Sequence, residues 1–216
     1  MYKTVVFDLD GTLLDTLDDL ADAVNFALTE FSLPTRTREE VRAFIGNGMA
    51  NLMERAVGYA DHPQAEDILW AFKKYYAAHC KDKTRPYDGI VEVLQTLKAQ
   101  GKKLAVLSNK ADFAVKALVE EYFPQTFDAV QGENEAAGIR KKPAPDALFT
   151  IMETLGCDRK NTLYIGDSEV DIHTAKNADV TCLSVTWGFK DRAFLIENGG
   201  KIFADSPEEI VALCKE

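Results

Sequence analysis

Asp8 and Asp10 stand two residues apart in Phe7-Asp8-Leu9-Asp10-Gly11-Thr12, at the end of a short β-branched run. In an extended segment, positions i and i+2 share a side. Two carboxylates held this way repel unless a cation or a proton separates them. Mg²⁺ suits such a site, because it takes oxygen ligands and keeps several waters. Three later stretches add matching chemistry. Ser108-Asn109-Lys110 offers a hydroxyl, an amide and an ammonium for a phosphoryl oxygen, although a Ser-Asn pair also serves as a helix cap. Lys142-Pro143-Ala144-Pro145 projects a lysine from a loop, since a residue before proline is driven towards extended geometry. Gly166-Asp167-Ser168-Glu169-Val170-Asp171 supplies two more carboxylates, Asp167 within reach of a metal and Asp171 able to orient Lys142 or a metal-bound water.

These groups need a scaffold that brings them to one edge. Apolar or β-branched runs occur at Thr4–Leu9, Leu104–Ser108, Phe127–Val130, Thr162–Ile165, Val180–Val185 and Lys201–Phe203. From the second run onward they alternate with helical spacing, as in Ile90/Val93/Leu94/Leu97 and Leu148/Ile151/Met152/Leu155. The pattern predicts an α/β fold: a Rossmann-like parallel sheet core with helices on both faces. Ligands of such sheets bind outside the carboxyl ends of the strands. The chemistry-bearing stretches all follow strands.

Between the first two strands the rhythm changes. Leu17, Leu20, Ala21, Val24, Ala27, Leu28 and Phe31 form one helical stripe, and Ile68, Leu69, Phe72 and Tyr76 another. The segment is too long for one crossover. We therefore expect an inserted α-helical domain at 15–85 and a discontinuous core at 1–14 and 86–216. Within the insertion, Phe44-Ile45-Gly46-Asn47-Gly48-Met49 interrupts the helical pattern with two glycines.

Composition bounds the partners. A net charge of −10 disfavours nucleic acid, which is held by clustered Lys and Arg. Four scattered cysteines without a C-x-x-C pair disfavour zinc or a disulfide frame. No apolar run reaches membrane-spanning length and none resembles a signal segment, so a cytoplasmic location is expected. His62, His79 and His173 lack metal-ligand spacing. Trp70, Phe72, Tyr75 and Tyr76 read as packing within the insertion, and Trp187-Gly188 either packs or borders the ligand end.

The order and spacing of Asp8-Leu9-Asp10-Gly11-Thr12-Leu13, Ser108-Asn109, Lys142-Pro143 and Gly166–Asp171 resemble the haloacid-dehalogenase-like phosphatases over essentially the whole chain. The insertion resembles the helical cap of the phosphoglycolate-phosphatase-like subfamily. The resemblance implies a nucleophile at Asp8 and a general acid/base at Asp10. It implies Mg²⁺ on the Asp8 and Asp167 carboxylates and the Asp10 backbone carbonyl. Catalytic roles then fall on Asp8, Asp10, Ser108 and Lys142. Phosphoryl and substrate contacts fall on Thr12, Asn47, Gly48, Ser108, Asn109, Lys110 and Lys142, with Asp171 in support. Lys110 is expected to meet an anionic substrate, and Arg42 to meet a substrate carboxylate or remain an exposed helical arginine.

An aspartate at position 10 argues for phosphate esters over carbon–halogen bonds, whose leaving group needs no proton. The implied activity is hydrolysis of a small phosphorylated metabolite, 2-phosphoglycolate first, by a monomer or homodimer. Pyrophosphatase, sugar-phosphatase and β-phosphoglucomutase-like readings share most of these motifs. The mutases commonly carry valine where Thr12 stands, and a non-catalytic binding protein would not need the complete set. One departure is Ala178-Asp179 where the family commonly has Ala-Gly, a left-handed turn that aspartate tolerates.

Overall fold

A computed structural model describes residues 1–59 and 61–215. The chain divides into two compact units, Met1–Leu14 with Pro86–Glu216, and Asp15–Arg85.

The first unit is built on β1 (Thr4–Phe7), whose four residues are all buried. β4 (Lys103–Ala111) and β6 (Thr162–Gly166) flank it in parallel, with Phe7 opposite both Val106 and Ile165. Adding β5 (Ala129–Glu133), β7 (Thr181–Val185) and β8 (Ile202–Ala204) gives six parallel strands in the order β5-β4-β1-β6-β7-β8. Strand order reverses at the β1/β6 boundary. The crevice outside the carboxyl ends of β1 and β6 is therefore the place for a ligand.

Side chains alternate across this sheet. Val6, Ala105, Leu107 and Tyr164 face α7 (Asp146–Leu155) and α8 (Glu169–Ala178), joining Leu148, Ile151, Met152 and Ala175 in one core. The other parity, including Val5, Leu104 and Leu163, is equally buried, on the side of α5 (Ile90–Ala99) and α10 (Pro207–Leu213). α6 (Asp112–Tyr122) connects β4 to β5, and α9 (Arg192–Glu197) connects β7 to β8. Burial on both faces explains why these strands read as continuous apolar runs.

Three local expectations shift. β1 ends at Phe7 rather than Leu9, because Leu13 and Leu14 both donate backbone hydrogen bonds to the Leu9 carbonyl and close a tight turn. β4 continues past Ser108 to Ala111, with a register irregularity after Leu107. Phe127 lies before β5, where it packs edge-on against Phe7 and Phe123. Asp179 does adopt the left-handed turn, at φ 57°.

The second unit holds α1 (Leu17–Glu30), α2 (Arg38–Phe44), α3 (Met49–Val57) and α4 (Ala65–His79). The chain enters it at β2 (Leu14–Asp15) and leaves at β3 (Arg85–Pro86). α1 buries Leu17, Leu20, Val24, Ala27 and Leu28, and α4 buries Ile68, Phe72 and Tyr76. The buried Asp19 carboxylate accepts from the backbone N–H groups of Lys83 and Thr84 and from the Thr84 hydroxyl. Thr37 and Glu40 close a capping box that starts α2. Trp70 departs from the packing expectation: it is 64% exposed, with the Lys74 ammonium 5.0 Å from its ring centre. Tyr75 stacks between Phe26 and His79. Among the described residues, no helix is long and apolar enough to cross a membrane.

Candidate active site

Pairing of β1 with β6 delivers the first two carboxylates. Asp8 follows Phe7, its N–H donating to the Ile165 carbonyl at 2.8 Å, and Asp167 follows the end of β6. Asp8, Asp167 and Asp171 are all buried, and each presents a carboxylate oxygen within 4.8 Å of those of the other two.

Lys142 is the cation among them. Its ammonium lies 3.0 Å from Asp8 Oδ2 and 2.8 Å from Asp171 Oδ1. It also lies 3.1 Å from the Tyr164 hydroxyl and 3.3 Å from the Leu107 carbonyl. Burial opposes its charge, but Asp171 and Asp8 together hold its pKa above the ordinary lysine value. The ammonium is positioned through its backbone. Asn109 accepts from the Lys142 N–H at 2.8 Å and donates to the Lys142 carbonyl at 3.0 Å. Asn109, expected to face a phosphoryl oxygen, here brackets the Lys142 backbone with its oxygen and one amide N–H, because a buried backbone pair on an irregular segment must be satisfied.

Lys110 reaches Asp10. Its buried ammonium lies 2.8 and 2.9 Å from the two Asp10 oxygens, since a desolvated cation takes the nearest carboxylate. Asp10 is thereby set apart from the Asp8–Lys142–Asp171 group, 15% exposed at its side chain. The Ser108 hydroxyl accepts from the Lys110 N–H. The Thr12 hydroxyl, expected at the substrate, donates to Asp167 Oδ1 at 3.2 Å. The Trp187 indole N–H donates to the Thr12 carbonyl, and the Phe189 N–H donates to Asp167 Oδ2 at 2.7 Å.

Acceptor counting separates the three acids. A carboxylate has about four lone-pair sites. Asp171 uses Oδ1 for Lys142 and Tyr164, and Oδ2 for the Ser168 N–H and hydroxyl. Asp8 accepts from the Leu9 N–H and Lys142, and Asp167 from Thr12 and Phe189. Asp8 and Asp167 therefore keep capacity to hold a metal, whereas Asp171 is saturated. The charges agree: three buried carboxylates face one ammonium, leaving two negative charges unbalanced. Burial first, then neighbouring carboxylates, raises Asp8 well above the ordinary range despite Lys142. Burial and Asp171 push Asp167 up to about 7. A divalent oxygen-preferring cation fits this pair.

That imbalance carries a pH signature. A carboxyl whose folded pKa is raised favours the folded state most below its unfolded pKa and loses that contribution as pH rises. For Asp167 the window runs from the ordinary 3.8 to about 7. We expect melting of metal-free protein to show stability falling through that window. Added Mg²⁺ should restore it at neutral pH, and an absent Mg²⁺ shift would argue against metal at this pair.

Glycines supply the close approach. A Cβ on Gly188 would sit 2.3 Å from Asp167 Cβ and 2.4 Å from the Gly11 carbonyl, and one on Gly166 2.2 Å from Asp171 Cγ. Gly188→Ala should cost about 1–3 kcal/mol by overpacking. It should also weaken Mg²⁺ binding, read by titrating the melting temperature with the metal.

Within the second unit, the 44–49 stretch is the turn between α2 and α3, with Gly46 at φ 130° and Gly48 at φ 85°. The Asn47 carbonyl accepts from the Asn51 amide, and Arg42 lies in the last turn of α2. His62 and His79 make local contacts there, with the Gln64 N–H and with Asp82. Among the described residues, the sequence gives no sign of Tyr164 or of the Phe189 N–H. The phenol was concealed within an apolar strand, and backbone donors have no residue signature.

The sequence profile of the haloacid dehalogenase-like hydrolases matches residues 5–185. A phosphoglycolate phosphatase of Pseudomonas syringae pv. tomato is 33% identical over 98% of this chain and 79% of its own. One from Mannheimia succiniciproducens is 35% identical over 87% of each chain. The crystal structure of a candidate phosphoglycolate phosphatase from Lactobacillus delbrueckii subsp. bulgaricus superposes with a TM-score of 0.93. It shares 36% identity, over 99% of this chain and 98% of that one. With the acidic cluster at the β1/β6 switch point and matches of this extent, the chain belongs to the haloacid dehalogenase-like hydrolase family.

Proposed function

We propose that this protein is a Mg²⁺-dependent phosphatase of small phosphate monoesters, acting through a phosphorylated Asp8, with 2-phosphoglycolate the first substrate to test. The observation that carries it is the pair Asp8/Asp167 beside Lys142, three buried carboxylates with Asp171 for one ammonium. The names of the relatives support the substrate.

Asp8 attacks phosphorus while the bond to the leaving oxygen breaks, and Asp10 gives that oxygen its proton. Asp10 then takes a proton from the water that attacks the acyl phosphate, releasing inorganic phosphate and restoring Asp8. Lys142 and the Ser108 hydroxyl neutralise and orient the phosphoryl oxygens, and Asn109 holds Lys142 in place. Bound Mg²⁺, on the Asp8 and Asp167 carboxylates and the Asp10 carbonyl, would supply charge neutralisation for the transferring group. Asp171 keeps Lys142 aimed at Asp8. In this reading the 15–85 unit is a cap that selects the substrate through Asn47 and Gly48.

Phosphate release from a panel of monoesters, with Mg²⁺ and with chelator, tests the proposal. Turnover of phosphoglycolate that chelation abolishes and Mg²⁺ restores is expected. Turnover unaffected by chelator would reject the metal, and no release from any monoester would reject the activity.

A further inference from the structure

Tyr164 is the group the mechanism above leaves unused. Its neighbours in β6, Leu163 and Ile165, are ordinary core residues, and an apolar side chain would fill its place among Val6, Leu107, Leu148 and Ile151. Instead a fully buried phenol sends its hydroxyl out of that core to the floor of the site. We infer that Tyr164 is a positioning residue for phosphoryl transfer: its hydroxyl, 3.1 Å from both Lys142 Nζ and Asp171 Oδ1, fixes the ammonium against Asp8. This rests on the role proposed for Lys142.

The geometry follows from counting protons. An ammonium has three. Asp8 and Asp171 take two, and the third meets the Tyr164 oxygen at 3.1 Å or the Leu107 carbonyl at 3.3 Å. The phenol proton goes to Asp171 Oδ1, so Lys142, Asp171 and Tyr164 close a ring of hydrogen bonds. A lysine side chain is flexible along four carbons and carries a compact charge, so two carboxylates alone leave it free to swing about the line joining them. A third contact from a rigid ring on a central strand removes that freedom. Without the hydroxyl, Asp171 Oδ1 loses one donor and the ammonium leans towards the Leu107 carbonyl, away from its setting on Asp8.

Tyr164→Phe deletes only the hydroxyl and leaves the ring in its apolar surroundings. We expect kcat on p-nitrophenyl phosphate to fall roughly 10- to 100-fold, as for a small misplacement of a catalytic group, with little change in KM. Melting temperature should stay close to that of the parent. Tyr164→Met fills the space differently and should show the same kcat loss.

The second readout does not require turnover. In protein carrying ¹⁵N-labelled lysine, the buried Lys142 ammonium is identified by the signal that Lys142→Arg removes. Tyr164→Phe should move that signal and speed its proton exchange. An unmoved ammonium signal, or a kcat within about twofold of an active parent, overturns the inference. A parent that hydrolyses no monoester would reject the proposed function, while the ammonium signal would still decide the role of Tyr164.

Discussion

Asp8→Asn is expected to lose at least about 10⁴-fold in kcat, because an amide of the same shape cannot accept and release a phosphoryl group. The fold should survive. In metal-free protein the substitution should even be neutral or stabilising near neutral pH, since burial and the neighbouring carboxylates raise the Asp8 pKa. The sign follows from linkage. A group harder to ionise in the folded state destabilises that state wherever the unfolded chain has already ionised it. The advantage of Asp8→Asn should therefore be small at acidic pH and grow as pH rises past the ordinary carboxylate range. Melting curves of parent and variant at several pH values, beside steady-state kinetics, check both halves. Full activity in the variant would remove Asp8 from the mechanism. A variant much less stable than the parent at neutral pH without metal would contradict the charge-deficient site.

Lys142→Met should be the more damaging change to the fold. It removes the cation shared by Asp8 and Asp171 and leaves three buried carboxylates without one. Breaking a buried pair by deleting one partner typically costs about 3–5 kcal/mol. Losing a charge aimed at the transferring group adds a kcat loss on the order of 10²–10³. The destabilisation should lessen at acidic pH, where the carboxylates take up protons. Adding Asp171→Asn should recover part of the stability by removing one uncompensated charge, and none of the activity. Denaturant unfolding of the single and double variants, with kcat/KM on the same preparations, separates the two effects. A single variant as stable as the parent would mean that the Lys142 ion pairs do not hold the site together.

Much of this site is legible in the sequence itself. The alternation of apolar runs and helical spacing fixes a parallel sheet, and parallel sheets place ligands at their carboxyl ends. Asp8, Ser108, Lys142 and Asp167 could therefore be gathered from four distant stretches by topology alone. The long helical interval between the first two strands marked the second unit for a similarly simple reason, since no single crossover uses so many residues.

Beyond Lys142 with Asp171, pairing within the gathered set was not legible. The spacing of Ser108-Asn109-Lys110 names three donors but not their targets, because a hydrogen bond depends on fractions of an ångström. β4 runs on to Ala111 with an irregular register, and along that stretch Asn109 meets the Lys142 backbone and Lys110 meets Asp10. The Thr12 hydroxyl likewise donates to Asp167. In each case a buried polar group took the nearest partner that satisfied it, which sequence spacing cannot rank.

The division is clear at the paired aspartates. Sequence by itself determined that Asp8 and Asp10 stand together at a strand end and that further carboxylates and a lysine must join them, because residue type and periodicity are local properties. Only the tertiary structure decided which charges meet. It chose Lys142 over a metal-bound water for Asp171, shared that ammonium with Asp8, gave Lys110 to Asp10, and brought Tyr164 beneath them from the core. Charge pairing is a short-range property of three-dimensional neighbours, and those neighbours, Lys142 and Asp8 or Lys110 and Asp10, lie 100 or more residues apart along the chain.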